Sequence, residues 1–225
     1  MTPTAAPVTI RISDDQNVSG LLLAPAEATS CFVFAHGAGA GMGHAFMGTF
    51  ADGLVERGVA TLRYQFPFME NGSKRPDVPK VAHAAVRAAT SEARRRFPRL
   101  PLIAGGKSFG ARMTSQAQAL EPLAGVSGLA FIGFPLHPAG KPAVDRAEHL
   151  KLLGLPMLFL QGTRDELADL QLMKPAVNAL GSLATLALFD DADHSFHVRA
   201  RSGRTDAQVM ATLLDTFVEW AAKLP

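Results

Sequence analysis

Cysteine is almost absent from this sequence of 225 residues, which contains only Cys31. One cysteine cannot form an intramolecular disulfide, and such usage fits a reducing cytosol. An excess of one charge is also lacking, because 22 Lys and Arg against 20 Asp and Glu give a net charge of +2. So small an excess gives no reason to expect a nucleic-acid partner.

Long apolar runs are lacking as well. The longest, at residues 155–160 and 183–189, are far shorter than the about 18 residues that a membrane span needs. The chain does not open with a basic segment followed by an apolar one, so no signal peptide is predicted. We therefore expect a soluble cytoplasmic protein with no membrane partner.

The composition is that of a globular domain, with 48% apolar and 19% charged residues. We expect a single domain over residues 1–225, with a flexible start at residues 1–7. The predicted strands are Val8–Ile12, Val18–Ala24, Cys31–Ala35, Val59–Tyr64, Leu102–Gly105, Leu129–Phe134, Met157–Gln161 and Thr185–Asp190. The predicted helices lie near Phe46–Arg57, Val78–Arg96, Phe109–Leu120, Glu166–Leu180 and Asp206–Lys223.

The order of these elements predicts an α/β fold. The first two strands flank a turn at Asp14–Asn17 and are expected to pair as an antiparallel hairpin. The later strands are continuous apolar runs, which is typical of a mostly parallel sheet with helices on both faces. No inserted block is long enough to form a cap domain. Two irregular stretches, Gln65–Val78 and Pro135–Asp145, follow strands at the edge where such sheets bind ligands.

The most specific motif is G-K-S-F-G at residues 106–110, between a predicted strand and a predicted helix. G-x-S-x-G in this context is the nucleophile elbow, which exposes the hydroxyl of Ser108 above a helix N-terminus. A phosphate-binding loop ending in Gly-Lys-Ser would need glycine at position 101, which is Pro101. The alternative that stays open is a purely structural turn.

A nucleophilic serine needs a base and an acid that orients the base. Asp165 follows one later strand and His194 follows the next, which is the chain order expected for this fold. His197 is an alternative base, although His194 lies nearer the strand end. Glu166 and Asp169 compete with Asp165 as the acid.

The loop H-G-A-G-A-G-M-G-H at residues 36–44 is rich in glycine. Such a loop lets backbone amides approach a developing oxyanion. We expect the amide of Phe109 to be one donor and that of Ala38 to be the other, with Gly39 as the alternative to Ala38. The glycine spacing does not fit the dinucleotide motif G-x-G-x-x-G, and a merely flexible loop stays open.

Side chains near these strand ends are expected to border an apolar acyl or alcohol pocket: His36, Phe66, Phe68, Met69, Phe134 and His137. Ordinary loop packing is the alternative, and for His137 the two interpretations are equally favoured. No carboxylate or cysteine accompanies His36 and His44 at ligand spacing, so no metal site is predicted.

With these motifs the chain resembles the α/β-hydrolase fold from about Val8 to Lys223, and within it the small, capless dienelactone-hydrolase-like group. The segments 105–110, 66–69 and 162–165 are similar to a poorly characterised family of bacterial predicted hydrolases and of testis-expressed and chromatin-complex relatives in animals. Dienelactone hydrolases carry cysteine as the nucleophile, whereas position 108 is serine.

The resemblance implies a serine hydrolase with Ser108, Asp165 and His194 as its triad and no cofactor. We expect it to cleave small carboxylic esters or related acyl compounds through an acyl-enzyme on Ser108. The alternative is a non-catalytic interaction module on the same scaffold. The natural substrate and the oligomeric state are not predicted.

Overall fold

The computed structural model describes residues 3–225, in which eight strands form one sheet. The strands are β1 (Ala6–Arg11), β2 (Asn17–Leu23), β3 (Ser30–Ala35), β4 (Val59–Tyr64), β5 (Leu102–Lys107), β6 (Val126–Ile132), β7 (Met157–Gly162) and β8 (Ala184–Phe189). The helices are α1 (Ala45–Val55), α2 (Pro67–Glu70), α3 (Pro79–Arg96), α4 (Phe109–Leu120), α5 (Leu170–Asn178) and α6 (Asp206–Ala221). Short 3₁₀ segments lie at Asp145–Leu152, Gly181–Leu183 and Ala200–Ser202.

The sheet has the strand order β1-β2-β4-β3-β5-β6-β7-β8. β1 and β2 form an antiparallel hairpin and β2 pairs antiparallel with β4, while all other pairs are parallel. The predicted mostly parallel sheet with an N-terminal hairpin is therefore confirmed. β1 begins earlier than predicted, because Ala6 already pairs with Leu22 and Pro7 with Leu21. Those two residues are thus strand and not a flexible start, and Met1 and Thr2 lie outside the described residues.

Helices cover both faces of the sheet. Phe32 and Phe34 of β3 share a buried cluster with side chains of α1 and α6, whereas Val33 between them packs in the cluster that contains α3, α4 and α5. This alternation follows from the period of two along a strand. All six residues of β3 are buried, since β3 has a strand on each side and helices above and below. Within residues 3–225 no cap domain covers the sheet.

Two helices differ from the sequence prediction. The short helix α2 lies in a stretch that was expected to be irregular. α5 begins at Leu170 and not near Glu166, because the Asp169 carboxylate caps it by accepting a hydrogen bond from Gln171 N at 2.8 Å. No helix in the described part of the chain is long and apolar enough to cross a membrane.

Candidate active site

Ser108 lies at a sharp turn between β5 and α4, with φ +52° and ψ −113°. A non-glycine residue with positive φ costs on the order of 1–3 kcal/mol and persists only when its surroundings hold it there. Here the Ser108 N–H donates to Ile132 O at 3.1 Å, and the Ser108 carbonyl accepts from Arg112 N at 3.2 Å. The turn thus has the strained geometry of the predicted nucleophile elbow.

The glycines of the motif are required because β5 and α4 approach β3 very closely. A Cβ atom on Gly106 would lie 2.3 Å from Ala35 O, and one on Gly110 would lie 2.6 Å from Ala35 O and from His36 O. Contacts of that length with backbone atoms are not tolerated, so larger residues would push the turn away from β3. The sequence pattern and the packing therefore have the same cause.

Asp165 lies just after β7, and its carboxylate is buried. Oδ2 accepts hydrogen bonds from His194 Nδ1 at 2.7 Å and from Gln161 Nε2 at 2.6 Å, and Oδ1 accepts one from Leu167 N at 2.8 Å. Burial alone would raise the pKa of Asp165, but the charge of His194 and these hydrogen bonds outweigh it and hold the pKa below its ordinary value. Asp165 is therefore ionised at neutral pH.

His194 follows β8 and has its ring next to this carboxylate. Because an ionised carboxylate only accepts hydrogen bonds, a neutral imidazole of His194 must carry its proton on Nδ1 to bind Asp165. Nε2 is then left as an acceptor. His197, the alternative base, instead pairs through Nδ1 with Asp206 Oδ2 at 2.8 Å, and its side chain is 61% exposed. The structure thus brings His194, and not His197, to Asp165.

The glycine-rich loop lies directly beside the serine. A Cβ atom on Gly37 would be 3.7 Å from Ser108 Cβ. The buried ring of His36 fixes the start of this loop, since Nδ1 donates to Gly37 O at 2.7 Å and Nε2 accepts from Phe66 N at 3.0 Å. Burial lowers the pKa of His36 to about 4, against the effect of backbone carbonyls of Gly37 and Ala40, so the ring is neutral.

The far end of the loop is held at Met42. Its N–H donates to Gln65 Oε1 at 2.8 Å, and its carbonyl accepts from Arg63 Nη1 at 3.2 Å. The loop is therefore fixed at both ends before any ligand binds.

One cavity of about 410 Å³ brings the predicted groups together. That volume lies within the range of small-molecule sites, roughly 300–1,000 Å³. The cavity contains Ser108, His194, Ala38 and Gly39, and Phe109 begins α4 beside it, so that its amide has no partner within the helix. The full lining is Gly37, Ala38, Gly39, Ala40, His44, Phe46, Met47, Lys107, Ser108, Leu167, His194 and Ser195.

None of the six predicted pocket-wall residues lines this cavity. Phe66 and Phe68 are buried and pack against the ring of His36, with ring centroids 4.9 Å and 5.7 Å from it. Met69 is partly buried against the same cluster. These side chains pack on the core side of the loop and do not line this cavity, and their contact with substrate stays a prediction.

Phe134 and His137 are also core residues. Phe134 is fully buried against Phe131 and Phe159. His137 ties two loops together, because Nε2 accepts from Asp169 N at 2.9 Å and Nδ1 donates to Pro138 O at 2.9 Å. His137 also lines a second cavity, together with Asp165 and Asp169, and its contact with substrate stays a prediction.

The walls come from residues that the sequence analysis did not select: Phe46 and Met47 of α1, Lys107 of the elbow, and Leu167 and Ser195 of the loops after β7 and β8. Lys107 lies within the G-x-S-x-G motif, and residues 46 and 47 lie just after the glycine-rich loop, so the sequence pattern could have identified all three as wall residues. Leu167 and Ser195 had only their closeness to Asp165 and His194.

Solved structures of other proteins share this fold. A dienelactone hydrolase from Anabaena variabilis superimposes with a TM-score of 0.78 at 19% identity, over 100% of this chain and 99% of that one. A protein of Xanthomonas campestris described as an α/β serine hydrolase without a lid gives 0.73 at 22% identity, over 98% and 95%. Est1E of Butyrivibrio proteoclasticus, with ferulic acid bound, gives a TM-score of 0.75 at 16% identity, over 96% of this chain and 100% of that one.

The sequence itself also matches a family model. The model is described as an alpha/beta hydrolase domain, and it matches residues 28–222, from the segment before β3 to the end of α6. The match and the structural likeness confirm the resemblance to capless α/β hydrolases, while the testis-expressed relatives stay a prediction. The chain belongs to the α/β-hydrolase family.

Proposed function

We propose that this protein is a serine hydrolase that cleaves small carboxylic esters or related acyl compounds. The observation that carries the proposal is the contact of 2.7 Å between His194 Nδ1 and buried Asp165, next to a cavity that also contains the strained Ser108. A nucleophile, a base and a buried acid in this order form the arrangement that acyl transfer by a serine requires. The size of the cavity favours small substrates.

In the proposed reaction Ser108 Oγ attacks the carbonyl carbon of the ester. Its proton passes to His194 Nε2, and Asp165 stabilises the imidazolium that forms. The proton then goes to the leaving alcohol as the C–O bond breaks, which leaves an acyl group on Ser108. Water, deprotonated by His194, then attacks the acyl-enzyme. The bond from the acyl carbon to Ser108 Oγ breaks, His194 returns the proton to Oγ, and the acid is released.

The oxyanion of each tetrahedral intermediate needs preorganised N–H donors. We assign them to the amide of Phe109, at the N-terminus of α4, and to that of Ala38, with Gly39 as the alternative. The fixed ends of the loop at residues 36–44 support this assignment, because donors held in place beforehand need no reorganisation during the reaction. Acyl transfer of this kind requires no cofactor.

Ser108→Ala tests the proposal against a matched control, Ser195→Ala, which removes another serine hydroxyl from the same cavity. Ser108→Ala should lower kcat for p-nitrophenyl acetate by at least about 10⁴-fold, and Ser195→Ala should change it by less than about threefold. Near-normal turnover by folded Ser108→Ala would overturn the assignment and require another nucleophile. Folded wild-type protein that cleaves no ester would favour the non-catalytic module.

A further inference from the structure

Lys107, between the glycine and the serine of the elbow, reaches across to the loop that carries His194. Its Nζ donates to His194 O at 2.6 Å. The same ammonium lies 5.1 Å from the ring centroid of Phe46 and 5.4 Å from that of Phe196, within the range of cation–π contacts. One side chain therefore joins the elbow, the start of α1 and the loop after β8.

Several hydrogen bonds within that loop are local. Asp193 Oδ1 accepts from Ser195 N at 2.8 Å and from His197 N at 3.0 Å, and Phe196 has φ +64°. These bonds shape the turn itself. The loop is also bound to the segment after β7, where Arg164 N donates to Ala192 O at 2.9 Å and Asp165 accepts from His194. The bond from Lys107, the chain neighbour of Ser108, ties the loop to the elbow.

We propose that Lys107 is a positioning residue, which holds the backbone of His194 at a fixed distance from Ser108; this rests on the proposed serine-hydrolase function. A lysine on the cavity wall could instead bind an anionic part of the substrate. The ammonium is already engaged by a carbonyl and two ring faces, which favours positioning.

The charge on Lys107 makes the effect dependent on pH. Burial lowers the pKa of Lys107 to about 8, although the carboxylates of Asp165 and Asp193 oppose the shift. These two carboxylates are the charged groups that act on it, and His44 and His194 are the other titratable residues that line the same cavity. As the pH rises through about 8, the ammonium loses its proton, and both the bond to His194 O and the cation–π contacts weaken.

The test compares Lys107→Met and Lys107→Arg with Lys174→Met, which makes the same change at an exposed position on α5. Lys107→Met should lower kcat for p-nitrophenyl acetate about 10- to 100-fold with KM within about twofold, since small displacements of a catalytic group have effects of this size. Lys107→Arg should recover most of the rate. It should also lack the fall in kcat above pH 8 that we expect in the wild type.

A kcat of Lys107→Met within twofold of the wild type would overturn the proposal. So would a loss confined to KM for negatively charged esters, which would indicate substrate binding. If Lys107→Met does not fold, the pH dependence of kcat above pH 8 is compared between the wild type and Lys107→Arg. The same dependence in both proteins would contradict the positioning role.

An NMR readout separates this proposal from the proposed function. Lys107→Met should shift or broaden the imidazole signals of His194, and Lys174→Met should not, whether or not any ester is cleaved. Unchanged His194 signals would refute the positioning role. If the wild type cleaves no ester but Lys107→Met still changes the His194 signals, only the hydrolase function is refuted.

Discussion

Replacing Asp165 by asparagine removes the negative charge beside His194 while almost keeping the shape of the side chain. The carboxylate accepts three hydrogen bonds, two on Oδ2 and one on Oδ1. An amide has one acceptor oxygen and one donor nitrogen, so it cannot accept on both sides. With its oxygen in the Oδ2 position, its NH₂ group would face the N–H of Leu167.

In the opposite orientation every donor can face an acceptor, provided that Gln161 and His194 both rearrange. The amide oxygen then accepts from Leu167 N, and the NH₂ group faces His194 and Gln161. Gln161 can turn its own amide to accept, since its Oε1 is buried without a partner among the residues that the structure describes. His194 must then accept at Nδ1 and carry its proton on Nε2. That tautomer cannot take a proton from Ser108.

We therefore expect Asp165→Asn to fold normally and to lose about 10⁴-fold in kcat, the size known for the wrong tautomer in serine triads and equal to about 5 kcal/mol of activation free energy. The assay is the steady-state hydrolysis of p-nitrophenyl acetate, with thermal unfolding as the check on folding. Asp169→Asn is the control, because asparagine also caps helices well and Asp169 caps α5. A folded Asp165→Asn enzyme within tenfold of the wild type would refute this reasoning.

Three further outcomes follow from the geometry. His194→Ala should lower kcat as much as loss of the serine does. His197→Ala breaks an exposed pair with Asp206 and should lower kcat less than about threefold. The reverse order in folded variants would move the base to His197. Gly133→Ala should lower the free energy of unfolding in urea by about 1–2 kcal/mol, since Gly133 has φ +64°. It should also lower kcat, because a Cβ there would lie 3.4 Å from His194 Nδ1. An unchanged kcat would show that this contact does not matter. The pKa of His36 is about 4 in the native protein, so between pH 6.5 and 4 the unfolded chain binds a proton there that the native ring does not. As the pH drops through this range, His36 should therefore lower the free energy of unfolding by about 3 kcal/mol, and His36→Gln should reduce that loss. Equal pH slopes in urea titrations of the two proteins would contradict this expectation.

The sequence predicted the chain order of the elements, and the strands to within three residues at either end, because both follow from local rules. Apolar runs alternate with amphipathic segments, and G-x-S-x-G between them requires glycines wherever backbones meet, as at Gly106 and Gly110. Asp165 and His194 were predictable because the carboxyl ends of neighbouring parallel strands meet at one edge of the sheet. Their contact involves residues separated by 29 positions, and only folding brings them together.

The pocket walls were not predictable from the same rules. A position after a strand says that a loop lies at the edge of the sheet, but not whether the loop turns over the cavity or back into the core. Phe66 turns inward because its N–H is bound by the buried ring of His36, and Phe134 does so by packing on Phe159. Phe46 instead reaches the cavity from the first turn of α1. Such choices depend on contacts between distant segments.

The most direct test of the central claim is to treat the folded protein with a fluorophosphonate, which reacts with activated serines, and to map the adduct by peptide mass spectrometry. We expect a single adduct on Ser108, formed much more slowly in Asp165→Asn and absent from Ser108→Ala. No adduct on folded wild-type protein, or an adduct on Ser195 instead, would contradict it.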